Sequence, residues 1–142
     1  MTSAGWLAAV AVLAAPGCAV AEWGVIASTE AVVVEFDPEL VRTQGDFAMA
    51  WTRMTFTVPR PLESNPGLKQ QSQLQLHAID CDAAASTVVA VTLHEGPYGR
   101  GEAIERTLRP RAEWSPRPAP PGSLAALTAR LACDEIARRK GR

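Results

Sequence analysis

The chain has 142 residues, with 14 Lys and Arg against 15 Asp and Glu, a formal net charge of -1 and 47% hydrophobic side chains. That length and composition support one domain with its own core and leave no room for two. The even charge balance and a pI near 6.1 give no electrostatic footprint for nucleic acid, and no stretch supplies the unbroken run of about 20 apolar residues that a membrane helix needs.

Residues 1–21 contain no charged residue, run apolar from Trp6 to Ala15, and are broken by Pro16 and Gly17. This reads as a signal-peptide core, and Ala19-Val20-Ala21 supplies the small-residue cleavage pattern, so the mature chain is expected to begin at Glu22. Met1 to Gly5 lack the Lys or Arg that such a leader usually carries. The alternative is a lipoprotein anchored through Cys18, but Ala15, Pro16 and Gly17 match the required leucine and small residues poorly. Simple cleavage discards Cys18 and leaves Cys81 and Cys133, and two cysteines in an exported domain default to one disulfide.

Beyond Trp23, strand-like runs alternate with turn residues. Val25 to Ala27 and Ala31 to Phe36 come first, the second ending at Asp37-Pro38. Gln44-Gly45-Asp46 opens the next run, Phe47 to Thr57, and Pro59 to Gly67 reads as a loop. Gln73 to Asp80, Thr87 to Glu95 and Glu102 to Leu108 follow, the last two joined by the glycine-rich turn GPYGRG at 96–101. Residues 109–121 hold five prolines and read as an extended connector. The period then changes: 123–139 lacks Gly and Pro, is rich in Ala and Leu, and ends in basic residues that suit a helix C-terminus, with Gly122 or Ser123 as the N-cap. The expected architecture is α+β, an antiparallel sheet of about six strands with one C-terminal helix packed on it. A Cys81–Cys133 bond would staple that helix to the sheet. Cys81 shares parity with the polar residues Gln73, Gln75 and His77, so a bulge near Ala78-Ile79 is expected to correct its facing.

Residues suited to chemistry are few. His77 and His94 both fall on the more polar side of their strands and read as surface histidines. A zinc site from His77, Cys81, His94 and Cys133 lacks the close ligand spacing of such sites. GPYGRG precedes a strand, whereas a phosphate loop opens a helix. Asp80 and Asp82 read as turn residues beside a cysteine, and no nucleophile elbow is present. No enzyme, cofactor or metal is therefore expected. Charge is uneven: Glu22–Glu95 holds ten acidic and four basic residues, Gly96–Arg142 five and ten. Two solvated faces explain this, and so does a basic patch for an anionic partner. Within the basic half, Arg109, Arg111, Trp114 and Arg117 interleave cations with an aromatic in the manner of a macromolecular contact, although Trp114 serves equally as a plug beneath the connector.

The opening Trp23, FDPELVRTQGDFAMAW at 36–51, IDC at 79–81, GPYGRG with its strand, and the Trp-Pro-rich segment ending in Cys133 occur in one order. In that order they resemble the bacterial surface-adhesin protein E-like domain family. The resemblance spans nearly all of the mature chain, 22–142. It implies an antiparallel sheet with a disulfide-tied C-terminal helix in an exported, non-enzymatic protein, with host-matrix binding known for the member that named the family; the partner expected here is a matrix or envelope macromolecule. The segment after Cys81 lacks a basic residue expected from the family. The competing expectation is a structural envelope protein, a homodimer or larger, that self-associates through a sheet edge.

Overall fold

A computed structural model describes residues 22–141; the expected leader and Cys18 lie outside the described residues. The long β4 (Phe47–Pro61) and β5 (Lys69–Asp80) form the centre of one antiparallel sheet, joined by the turn at 62–68. β2 (Val32–Phe36) pairs with the other side of β4, and β1 (Gly24–Ser28) pairs with β2. Beyond β5 lie β6 (Ala85–His94) and β7 (Ala103–Leu108), giving the order β1-β2-β4-β5-β6-β7. Two short strands complete the eight: β3 (Arg42–Gln44) pairs with the start of β4, and β8 (Arg117–Pro118) with the start of β6. The six longer strands are those legible in the sequence, whereas β4 outruns its expected end at Thr57. Its register passes from Thr55↔Ser72 to Arg60↔Gln70, and this irregular stretch takes up Pro59, which has no N–H for the ladder.

Helix α1 (Leu124–Lys140) is capped by Ser123, whose hydroxyl accepts from the Ala126 N–H at 3.1 Å. Ala129 and Ala132 meet Ala48 and Ala50 of β4, together with Phe36, Val41 and Ile79. Small side chains on both sides let the helix backbone lie close to the sheet. Its C-terminal turn is fixed by Arg139, which donates to Val41 O at 2.7 Å and Pro38 O at 2.8 Å while its Nε holds Glu135 at 2.9 Å. Cys81, at the end of β5, is bonded to Cys133 with their Cα atoms 5.8 Å apart.

Two expectations about β5 need correction. Its register with β4 runs unbroken from Ala48↔Ile79 to Thr55↔Ser72, so no bulge falls at Ala78-Ile79. The irregularity lies across the ladder on β6, where the pairing steps from Leu76↔Ala90 to His77↔Val88 and leaves Val89 as the extra residue. The polar-looking parity of β5 is the helix-facing one, and Ile79 sits on it within the helix core. His77 is accordingly buried, 5% exposed, with its Nε2 hydrogen-bonded to Thr52 Oγ1 at 2.8 Å. The expectation of a surface histidine failed because His77 lies on the helix-facing side of β5, paired with the fully buried Ala50 of β4.

Candidate binding face

The face of the sheet away from the helix has its own small core of Met49, Ala78 and Val89, packed by Phe47, Leu76 and Trp114. The connector builds this core. After Leu108 the chain leaves the edge of β6, turns through a short 3-10 segment (Arg111–Glu113), and returns to pair Arg117 and Pro118 with Ser86 and Ala85. In between, Trp114 is laid on Phe47, ring centres 5.6 Å apart and nearly perpendicular. Its Nε1 donates to Arg109 O at 3.0 Å. The Arg111 guanidinium lies over both rings, 4.4 Å from Phe47 and 4.6 Å from Trp114. Arg111 and Trp114 are thus brought together, and Trp114 is a half-buried plug as well as a surface aromatic. Arg109 gives this group its carbonyl, while its side chain lines a groove with Gln75, Val91 and Thr107. Arg117 is exposed and, among the described residues, stands outside this stack. The four expected partner-binding residues therefore form a pair with two outliers.

The opposite wall of this face was not legible from the sequence. Glu35 and Arg53 stand directly opposite in the β2–β4 register and form a two-point ion pair, Nε to Oε1 and Nη2 to Oε2, both 3.0 Å. Arg53 also lies 4.5 Å from the Trp23 ring centre and 5.4 Å from that of Tyr98, and its Nη1 donates to Tyr98 O at 3.3 Å. The glycine-rich turn is folded back onto the sheet. Ser72 Oγ donates to Gly96 O at 2.6 Å and accepts from Gly99 N at 2.8 Å, and Thr55 Oγ1 accepts from Tyr98 N at 3.2 Å. These bonds hold Tyr98 at a φ of 57°, a left-handed conformation that costs a non-glycine residue on the order of 1 kcal/mol. Gly99 follows at 72°, where a Cβ would sit 3.3 Å from Leu74. The strain keeps Tyr98, 42% exposed, standing beside Arg100. Changing the buried Ser72 to Ala should remove both hydroxyl bonds, lower stability by about 1–3 kcal/mol, and speed amide exchange at Tyr98, Gly99 and Arg100.

Between these walls a row of directly paired residues crosses the sheet: Trp51↔Leu76, Leu76↔Ala90 and Ala90↔Leu108. Trp51 and Leu76 are half-buried and Leu108 is 77% exposed. The result is an apolar strip bordered by arginine-on-aromatic stacks, a composition enriched in interface hot spots.

Catalytic arrangements do not assemble around the titratable groups. His94 Nδ1 is hydrogen-bonded to Gly101 O and helps hold the turn. Asp80 Oδ1 accepts from the Asp82 and Ala83 N–H groups in a local turn. The zinc reading is overturned, because its two thiols are joined to each other. Burial pushes the His77 imidazole down to about 4, so it stays neutral in the core over most of the physiological range. Glu135 is held down to about 2, chiefly by its hydrogen bond from Arg138, against a smaller opposing effect of burial.

The family model for the surface-adhesin protein E matches residues 23–134, from the Trp23 that packs on Arg53 to the residue after Cys133. The chain belongs to the surface-adhesin protein E family. Solved structures of Haemophilus influenzae protein E share its fold. One aligns with a TM-score of 0.57 at 13% identity, covering 74% of this chain and 80% of that one. The selenomethionine form aligns at 0.54 and 13%, covering 71% and 78%, and protein E from a non-typeable strain at 0.51 and 12%, covering 74% and 82%. Comparison with curated protein sequences returns no match. Both the expected architecture and the Cys81–Cys133 pairing are present in this chain, and the solved protein E structures share its fold. Among the described residues no helix is long and apolar enough to cross a membrane.

Proposed function

We propose that this surface-adhesin domain is an exported, non-enzymatic binding module that takes a macromolecular partner on the sheet face away from the helix. The observation that carries the reading is the stack of Arg111 on Phe47 and Trp114 facing the Arg53–Tyr98–Arg100 wall, with the Trp51–Leu76–Leu108 strip between them. Rigid aromatics topped by guanidinium groups lose little side-chain entropy on association and offer planar donors to carboxylates and sulfates. The two walls are held in place by hydrogen bonds and stacking before any partner arrives. Family membership supports a role in adhesion, and the exposed Arg117 adds positive charge at the margin.

The test is capture of the protein by matrix laid down by cultured epithelial cells. Arg111→Ala should weaken capture by roughly tenfold or more if the stack is a hot spot, while costing the fold only about 0.5–1 kcal/mol as an exposed cation–π contact. Arg117→Ala should change capture by less than about twofold, because Arg117 stands apart from the stack. Unchanged capture by a folded variant with Arg109, Arg111, Trp114 and Arg117 all replaced by Ala would remove this face from consideration.

A further inference from the structure

A second surface, sharing no residue with the binding face, lies where β1 runs beside α1. β1 is the end of the strand order and pairs only with β2, so the backbone groups along its outer edge have no partner in the sheet. Two grooves, of about 390 and 430 Å3, are each lined by residues of β1 and of α1, the first also by Phe36 and Pro38. Gly24, Val25 and Ile26 line the first and Ala27 the second.

The far wall is helical. Leu131 borders the first groove, and Leu124 and Leu127 the second. These leucines, spaced i, i+3 and i+7, form one half-buried apolar stripe facing the strand edge. The irregularity between Val25 and Ala27 draws Ile26 into the helix core, while Val25 stays 62% exposed. An unpaired strand edge with an apolar helix alongside is the geometry that accepts one more strand: backbone bonds go to the edge, and alternate side chains go to the helix.

The charges at the two ends differ. Glu22 and Asp134 border the groove at the start of β1, together with the Glu135–Arg138 pair. Arg130, exposed and without an ion pair among the described residues, borders it at the end of β1 beside Ser123. We propose that this groove binds an extended peptide segment that adds to β1 as a parallel strand. The segment carries apolar side chains at alternate positions, a cationic group at the Asp134 end and a carboxylate at the Arg130 end. A free peptide running parallel to β1 presents its own termini in that order.

The experiment titrates isotope-labelled protein with the peptide Lys-Val-Thr-Val-Ser-Leu-Glu and follows backbone amide resonances. Saturable shifts are expected at Gly24–Ser28 and at Leu124–Asp134, leaving residues 97–100 and 111–114 unmoved. Leu127→Glu and Arg130→Glu should each raise the Kd about tenfold, or roughly 1.4 kcal/mol. The same peptide N-methylated at alternate residues should bind at least as poorly to the unaltered protein. That last measurement reads backbone pairing even if Leu127→Glu fails to fold. No saturable shift at millimolar peptide, shifts confined to the opposite face, or equal binding by the N-methylated peptide would overturn the proposal. So would peptide-independent, concentration-dependent broadening at β1, which would make a second copy of the chain the occupant. Loss of matrix capture on changing Arg111 would not bear on this result, so the two surfaces fail or stand separately.

Discussion

Replacing Cys133 by Ser, or reducing the disulfide, should lower stability by about 4 kcal/mol. The bond joins residues 52 apart, and the loop-closure entropy it removes from the unfolded chain has that size. The loss is a large fraction of the roughly 5–15 kcal/mol typical of a domain. It falls on the one α-helix of the described residues, whose packing on the sheet uses mainly small side chains. The fully buried apolar side chains of α1 are only Ala129 and Ala132, with Leu131 and Ile136 half-buried beside them, and a 17-residue helix is marginal by itself. Urea unfolding with and without reductant checks this: the midpoint should fall sharply on reduction. A smaller m-value in the reduced protein would show the helix already detached. An unmoved midpoint would mean that packing and the Arg139 bonds to Val41 O and Pro38 O hold the helix without the staple.

The second large effect is acid loss of stability through His77. Its folded-state pKa, near 4, lies below the ordinary 6.5, so between those values the unfolded chain binds a proton that the folded chain refuses. The contribution is therefore complete above about pH 6.5, is lost as pH falls towards 4, and is constant below that. Its full size is about 3 kcal/mol from the linkage relation. Glu135 acts in a lower window: its pKa is depressed from 4.5 to about 2, so its share is retained down to about pH 4.5 and lost as pH falls towards 2. Unfolding free energies measured from pH 8 to pH 3 should thus show a first decline centred between 6.5 and 4. His77→Gln, which keeps a polar partner for Thr52, should abolish that decline and leave the lower one. A decline that persists in His77→Gln would assign the acid sensitivity to other groups.

The elements were legible in the sequence wherever local periodicity decides them. The alternation in Val32–Phe36 and Phe47–Thr57, the proline-rich break after Leu108 and the Ser123 cap each state their own conformation, and the structure follows them. What depended on register was hidden. Glu35 and Arg53 are 18 residues apart and meet only because β2 and β4 pair as they do. His77 was misplaced because the two-residue period identifies two faces without saying which one the helix covers. The strained Tyr98 could not be read from GPYGRG, since the bonds that hold it come from Thr55 and Ser72 on distant strands. For Trp114 the sequence left a plug and a partner contact both open. The structure places it as a half-buried plug with a guanidinium on its outer side, an arrangement that accommodates both.

The sheet face away from the helix is tested most directly by hydrogen exchange of the protein bound to epithelial matrix against the protein free in solution. If that face is the contact, exchange should slow at residues 97–100 and 111–114 and along Trp51, Leu76 and Leu108, with α1 unchanged. Slowing confined to β1 and α1, or absent everywhere although the protein is captured, would contradict the assignment of the adhesive surface to this face.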